Sequence, residues 1–427
     1  MKKAYIALLS LALPVSGLVS CSEMMTEAGD AEIVEPITVS YKVNAVTGFV
    51  DADGKGEPDP NFPTEGLKAT FVNYEESSFT SATVDADGIA TATLTPGVYT
   101  INVAGSVENE GETYYLNGAA QNISLTKNVS REEAAAGSTL NLRPAKVGPL
   151  CIKEVYYCGI SPYYFRDQTY EIYNNGDEVY YLDHLCFTQL YPDQATAVLP
   201  AWPASEGKDN FVYGITLWQF PGNGTDYPLA PGESVIIVQE SRDHRENNPN
   251  SFDNSMAEWE MWAGGKPERD NPNVPNLQYV FWGGYINTWQ WLTSVSGAAF
   301  CLYQPGQALT FGDTDYWKLG ETTQKEVNGT YEWAKIPAET VMDGVEFLPS
   351  MSDLNMKRIP GFVDAGGFSV GEIYVGKSVS RKKIGERPDG TPLYQDTNNS
   401  TDDFQINDRP AIRRNGEKVP SWSPSNH

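Results

Sequence analysis

The chain has 427 residues, of which 12% are aromatic and only 20% are charged. This composition is typical of a globular, β-rich protein of about two domains, and it excludes a coiled coil or a largely disordered chain. With 56 acidic and 30 basic residues the formal net charge is −26, so the chain repels phosphate backbones, which argues against nucleic acid as a partner.

Residues 1–20 have the pattern of a secretory leader. A positive start and a short apolar core are followed by Leu-Val-Ser and then Cys21. This order predicts a lipoprotein signal peptide that is cleaved before Cys21, whose new N-terminus then carries acyl chains such as palmitate. Acyl chains anchor a protein at about 0.8 kcal/mol per buried methylene, so we expect membrane attachment, with residues 21–35 as a flexible tether. Ser22 after the cysteine favours the outer membrane.

Residues 36–145 predict a small β-sandwich. The stretch 37–45 alternates apolar and polar side chains with period two, and the Asp-Ala-Asp-Gly sequence at 85–88 predicts a hairpin turn between two short strands. Strands this closely spaced indicate a sandwich. The Asp-x-Asp-Gly and Leu-x-Pro-Gly-x-Tyr sequences at 85–99 resemble transthyretin-like or invasin-type immunoglobulin repeats, which implies a spacer.

The stretch 149–190 contains the clearest strand signals of the chain. The run 150–157 is rich in β-branched and aromatic residues, and Asn174-Asn-Gly-Asp177 separates two further runs of this kind. Asn-Gly between two such runs predicts a hairpin, because both residues tolerate the positive φ that the turn requires.

The sequences Ile-x-Glu-Val-Tyr-Tyr and Tyr-Glu-Ile-Tyr-Asn-x-Gly-Asp in this stretch resemble the start of a lamin-tail-type domain, an immunoglobulin-like β-sandwich of bacterial surface proteins. The run 229–238 is similar to that family's Leu-x-Pro-Gly turn before a buried strand, and 376–381 with 396–404 is similar to its closing strands. The resemblance implies a lamin-tail-like sandwich over 149–415 and a tail over 416–427. The whole chain resembles Bacteroidota surface lipoproteins, which implies an outer-membrane protein that faces the cell surface.

The resemblance does not account for residues from about 241 to 370, which we interpret as a long aromatic-rich insertion. Nine of the ten tryptophans lie between residues 202 and 333, and the spacing of apolar residues over 251–262 predicts a short amphipathic helix. The tryptophans indicate either a stacking platform for a ligand or a buried core. The candidate ligand-binding residues are Trp259, Trp282, Trp289 and His244.

Candidate catalytic and metal-ligating residues are few. Gly367-Phe-Ser-Val-Gly371 matches the nucleophile elbow of hydrolases, but a strand rather than a helix is predicted to follow it, so we assign no catalytic residue. Acidic loops at 51–57, 85–88 and 396–403 offer oxygen ligands to calcium, although turn chemistry explains the same residues. We assign no metal site or other cofactor and keep calcium as an alternative.

Four cysteines lie beyond Cys21, and the exported compartment permits disulfides between them. Four cysteines allow three connectivities, among which the sequence does not choose. A bond between Cys151 and Cys158 is disfavoured, because the two lie seven residues apart on one extended strand and its end. The alternative to disulfides is four buried free thiols. The four are Cys151, Cys158, Cys186 and Cys301.

Three functions remain open. The favoured one is a non-catalytic binding or adhesion module of the outer membrane, whose ligand is a glycan, a host protein or a nutrient passed to an outer-membrane transporter. The second is a hydrolase with a site in the insertion around Asp243 and His244. The third is a purely structural surface protein without a small ligand.

Overall fold

The computed structural model describes residues 34–73, 75–284 and 291–426. These residues form an almost entirely β structure of several sheets, which confirms the predicted all-β fold class. In this part of the chain, no helix is long and apolar enough to cross a membrane. The predicted leader, most of the tether, Cys21 and Trp289 lie outside the described residues.

The first sheet is built from nine strands and folds onto a core of its own. One short helix precedes its last strand and has a capping box, in which Ser130 and Glu133 exchange side-chain-to-backbone hydrogen bonds. The elements are β1 (Ile37–Thr47), β2 (Glu57–Pro58), β3 (Lys68–Asn73), β4 (Ser78–Thr83), β5 (Ile89–Leu94), β6 (Gly97–Ala104), β7 (Ser106–Asn109), β8 (Glu112–Leu125), α1 (Arg131–Ala136) and β9 (Thr139–Ala145).

The remaining strands form two larger sheets and two small ribbons. They are β10 (Leu150–Tyr156), β11 (Thr169–Asn174), β12 (Tyr180–Tyr181), β13 (Cys186–Leu190), β14 (Phe211–Gln219), β15 (Pro228–Leu229), β16 (Ser234–Val238), β17 (Trp259–Glu260), β18 (Gln278–Trp282), β19 (Ala299–Tyr303), β20 (Thr323–Gln324), β21 (Trp333–Pro337), β22 (Val341–Glu346), β23 (Ser378–Arg381), β24 (Lys383–Glu386), β25 (Pro392–Tyr394) and β26 (Phe404–Asn407), with the short helix α2 (Ser400–Asp403) before β26.

Sheet I has the strand order β17-β16-β11-β10-β23-β26, and sheet II has the order β20-β21-β14-β13-β19-β22 with β18 beside β14. The two sheets share one core, in which Tyr170 of sheet I packs against Phe187 and Phe300 of sheet II with ring centroids 5.0 Å apart in both pairs. Each such fully buried side chain contributes about 1.5–3 kcal/mol. The second half of the chain is therefore a β-sandwich.

The interpretation of 241–370 as an insertion is wrong. Strands β18 to β22 lie within it and are strands of sheet II, where β19 pairs with both β13 and β22. They supply Phe300, Leu302 and Val345 to the core that the two sheets share. The helix predicted over 251–262 is also wrong: Trp259 pairs with Ile237 in a parallel ladder, and its burial favours the strand over the helix.

Both predicted hairpins are wrong in their partners. After the turn at 85–88, β5 pairs with β1, whereas β4 pairs with β3. After Asn174, β12 pairs with β15, whereas β11 pairs with β10 and β16. Both turns are present: Asp85 Oδ1 accepts hydrogen bonds from the backbone N–H groups of Asp87 and Ile89, and Asn174 Oδ1 accepts one from Gly176 N.

The residues assigned to a tail at 416–427 pack onto the sandwich. Lys418 N donates to Gly232 O at 2.9 Å, and its carbonyl accepts from Ser234 N at 3.0 Å. Trp422 packs against Tyr227 and Trp259, and its indole N–H donates to Pro228 O at 2.7 Å. Residues 409–426, which include this packed end of the chain, are called the C-terminal strap below.

Candidate functional site

Four of the eight described tryptophans between residues 202 and 333 are buried. Trp218, Trp259 and Trp291 are fully buried, which supports the core alternative. Trp259 is 0% exposed and packs against Phe220, Tyr227 and Trp422, so its assignment as a ligand residue is wrong. Trp282 is half-buried beside Tyr279.

His244 is buried and both of its ring nitrogens are engaged. Nε2 lies 2.9 Å from Glu240 O and Nδ1 lies 2.7 Å from the Tyr164 hydroxyl. Burial lowers the pKa of His244 to about 4, so the ring is neutral at physiological pH. The expectation that His244 contacts a ligand or serves a hydrolase is therefore wrong. Asp243 beside it is paired with Arg245 at 2.6 Å.

A different group of aromatic side chains does face an open cleft. Trp202 stacks on Tyr213 with ring centroids 3.4 Å apart and planes at 14°, and Tyr191 stacks on Trp333 at 3.8 Å and 15°. Tyr191 and Trp202 are half-buried and line a cleft of about 240 Å³. This aromatic cleft lies where β14 begins, between the 191–210 connection and residues 357–360.

The polar groups of the aromatic cleft are held in fixed positions. Glu206 is buried, accepts from Gln324 Nε2 at 2.8 Å and pairs with Lys335 at 2.7 Å. Burial and the Glu206 carboxylate together raise the pKa of Tyr213, which keeps its hydroxyl protonated. Arg358 is paired with Glu346 at 2.7 Å. A pocket of aromatic faces with a few fixed polar groups suits a small polar ligand.

The N-terminal sandwich braces this cleft. The Asn210 side chain accepts from Val50 N at 3.0 Å and donates to Val50 O at 2.6 Å. Arg143 pairs with Glu339 at 2.9 Å and lies over the Phe362 ring at 4.6 Å. The cleft is thus formed mainly by the second sandwich and is supported from the side by the first.

The solved structures identify the family of this chain. A crystal structure of a DUF4876 family protein from Bacteroides thetaiotaomicron VPI-5482 is 36% identical, with the match covering 91% of this chain and 100% of that chain at a TM-score of 0.59. The chain belongs to the DUF4876 family. The family model, described as "Protein of unknown function (DUF4876)", matches residues 230–411.

A second solved structure resembles this DUF4876 protein only slightly. A DUF3823 family protein from Parabacteroides merdae is 13% identical over 37% of this chain and 67% of that chain, with a TM-score of 0.15. No curated protein matches the chain. The match to the Bacteroides protein supports the predicted relation to Bacteroidota proteins.

In this DUF4876 protein, carboxylates of the acidic loops pair with arginine side chains and accept hydrogen bonds from backbone N–H groups. Asp396 and Asp403 of the third loop pair with the buried Arg381 at 3.1 and 3.2 Å, and Asp343 joins them at 2.8 Å. Arg131 pairs with Asp85 in the second loop. Among the described residues, no group of three or more His, Cys, Asp or Glu is arranged to hold a metal ion.

The four cysteines and Ser369 of the elbow sequence are buried. All four described cysteines are free thiols, as in the alternative that has no disulfide. They are Cys151, Cys158, Cys186 and Cys301. Ser369 of the elbow sequence donates to Pro349 O at 3.0 Å.

The sequence analysis missed the residues of the aromatic cleft. Tyr191 and Trp202 precede residues 241–370, the stretch in which the sequence predicts the ligand site. The available signal was Trp202 itself, which stands between two prolines in Pro200-Ala-Trp-Pro203. Because Trp202 lies in a connection and not in a strand, no alternation of apolar and polar residues predicts whether its side chain is buried.

Proposed function

We propose that this chain is a lipid-anchored, non-catalytic binding protein of the outer membrane and that its aromatic cleft takes a saccharide. The observation that carries this proposal is the half-buried Trp202, stacked on Tyr213 at the opening of a cleft of about 240 Å³. A sugar ring presents apolar C–H faces to an aromatic ring and hydroxyls to fixed polar groups such as Glu206, and the cleft offers both.

The location rests on the leader sequence. Lipidation at Cys21 anchors the chain, and the 36–145 sandwich then separates the anchor from the cleft. We propose that the protein faces the cell surface and passes its ligand to an outer-membrane transporter, as the resemblance to lamin-tail-like surface lipoproteins implies. Protease treatment of intact cells tests the first point: loss of the protein supports surface exposure, and resistance until the cells are broken contradicts it.

The saccharide proposal is tested with the full mature chain on a panel of oligosaccharides. We expect saturable binding by calorimetry to at least one member, and Trp202→Ala weakens it by about tenfold, equivalent to about 1.4 kcal/mol. Trp262→Ala is the matched control, since Trp262 is also half-buried but bonds to Lys266 O away from the cleft. Equal affinity in the Trp202 variant, or no bound saccharide, overturns the proposal.

A further inference from the structure

A second cavity lies on the outer face of sheet I, where β10 has a bulge. The register of β10 against β11 shifts between Ile152 and Glu154, so Lys153 is an extra residue in its strand. A bulge of this kind re-aims the neighbouring side chains. Lys153 and Glu154 consequently both lie on the outer face, beside Glu171 of β11.

The C-terminal strap covers this face and encloses a cavity of about 200 Å³, which is called the acidic cavity. Arg414 holds the strap down on Glu154 at 2.8 Å, and Glu417 pairs with Lys153 at 2.8 Å. The floor is made of carboxylates, the walls are apolar and aromatic, and the strap provides the roof; the main lining residues are Glu154, Glu171, Tyr156, Phe252, Ile236 and Ile412.

The charges around the acidic cavity do not balance. Three carboxylates, of Glu154, Glu171 and Glu417, face two cations, of Lys153 and Arg414. At the rim, Asp253 shares the guanidinium of Arg245 with Asp243, at 3.1 and 2.6 Å, so the rim adds no surplus cation. A buried carboxylate without a full counter-charge is costly, so this site favours a further cation.

One oxygen of Glu171 lacks a hydrogen-bond partner. Glu171 is 2% exposed, and its Oε2 accepts from Lys153 at 3.0 Å, but Oε1 has no partner among the described residues. The neighbouring Ser234 hydroxyl favours the ionised form of Glu171, yet it completes no hydrogen bond and is itself without a partner. Burial raises the pKa of Glu171. A donor from a bound molecule would complete this buried acceptor.

We propose that the acidic cavity binds a small primary amine with a short apolar body. Its ammonium group donates to Glu171 Oε1, and its body packs against Tyr156, Phe252 and Ile236. A primary ammonium carries the donors that the unpartnered oxygen requires, whereas a quaternary ammonium has none. The volume of about 200 Å³ exceeds the ~150 Å³ in which benzene binds a protein cavity, so one ring with an aminomethyl group fits. The inference is independent of the saccharide cleft, which lies on sheet II.

The ligand class is tested on the full mature chain with benzylamine, its neutral isostere benzyl alcohol, and benzyltrimethylammonium. We expect benzylamine to bind saturably by calorimetry and to raise the Tm, and the other two to bind at least about tenfold more weakly. Equal binding of benzyl alcohol shows an apolar cavity without charge recognition and overturns the proposal. Equal binding of the quaternary cation shows that no ammonium hydrogen bond is made and overturns it as well.

The position of the site is tested with variants that keep the chain folded. Ile412→Trp fills the cavity from the roof without touching a carboxylate, and we expect it to abolish benzylamine binding. Ile384→Trp is the control, because Ile384 is 65% exposed on β24, and it retains binding. Glu171→Gln keeps an acceptor for Lys153 but removes the charge, and it weakens binding by about tenfold or more. Full binding by the folded Ile412 or Glu171 variant overturns the assignment.

Discussion

Lys153 Nζ lies 2.8 Å from Glu417 Oε1 and so joins the first strand of sheet I to the C-terminal strap. Both side chains are 0% exposed. Burial alone lowers the pKa of Lys153, but the attraction of Glu171, Glu154 and Glu417 outweighs it and raises the pKa overall. The strap is therefore part of the folded sandwich, and its loss would expose the outer face of sheet I.

The first prediction concerns this ion-pair cluster. Lys153→Ala leaves Glu171 and Glu417 buried without their cation, and it should lower the free energy of unfolding by about 3–5 kcal/mol. Chemical denaturation measures the loss. Lys383→Ala is the control, since its pair with Glu386 is solvent-exposed and contributes less than about 1 kcal/mol. Equal effects of the two substitutions would show that the buried cluster does not stabilise the fold.

The second prediction concerns the end of the strap. Trp422→Ala removes the ring that packs on Tyr227 and Trp259 and the donor to Pro228 O, and it should destabilise the protein by about 3 kcal/mol. Phe79→Ala provides the comparison, because Phe79 is 72% exposed on β4 and its loss should stay within about 0.5 kcal/mol. A Tm of the Trp422 variant equal to that of the Phe79 variant would contradict the packing of the strap.

The sequence predicts strands and turns here far better than it predicts which strands pair with each other. The period-two pattern predicts β1 correctly, and the predicted turn at Asp85 is present and is held by side-chain hydrogen bonds from that residue's carboxylate. The hairpins fail because strand pairing is decided by long-range burial: β4 and β5 leave the same turn for different neighbours. The bulge at Lys153 is likewise invisible in the sequence, since nothing in a run of apolar and charged residues marks the extra position.

For the candidate site too, the sequence indicates the residue types but not their long-range packing. Aromatic residues were expected to be important, but which of them are buried depends on the packing of two sheets that are distant in sequence. Trp259 packs against Trp422 of the strap and is buried, whereas Trp202 stacks on Tyr213 and stays half-buried. The acidity of the chain was visible at once, whereas the single unpartnered oxygen of Glu171 required coordinates.

The third prediction concerns pH. Burial holds the pKa of His244 at about 4, below its usual value of 6.5, so the unfolded chain binds the proton first as the pH falls. Stability that His244 contributes is therefore complete above pH 6.5 and declines between pH 6.5 and 4, by about 3 kcal/mol at 1.36 kcal/mol per unit. Denaturation at a series of pH values should show a smaller acid-side loss for His244→Gln than for the wild type. NMR titration checks the cause directly: an imidazole that titrates near 6.5 would refute it.

The fourth prediction concerns Arg381 and calcium. The guanidinium pairs with Asp343 and with Asp396 and Asp403, which are two of the three carboxylates in the loop that was considered for calcium. Millimolar calcium or a chelator should therefore leave the Tm unchanged. Arg381→Lys should cost about 2 kcal/mol, because an ammonium cannot reproduce the several donors of the guanidinium. A Tm that rises with calcium in the wild type would contradict this assignment.

The fifth prediction concerns the thiols. The four described cysteines are buried and free, and burial raises the pKa of Cys186 to about 12 and raises that of Cys301 as well. Because the thiolate is the reactive form, the native protein should not react with a thiol reagent such as DTNB. After denaturation without reductant, all four thiols should react, Cys21 apart. Protein exported to an oxidising compartment is the stringent sample, since a disulfide formed there would leave only two or no reactive thiols and would refute the free-thiol assignment. Cys186→Ala should remove one thiol from the denatured count and none from the native count.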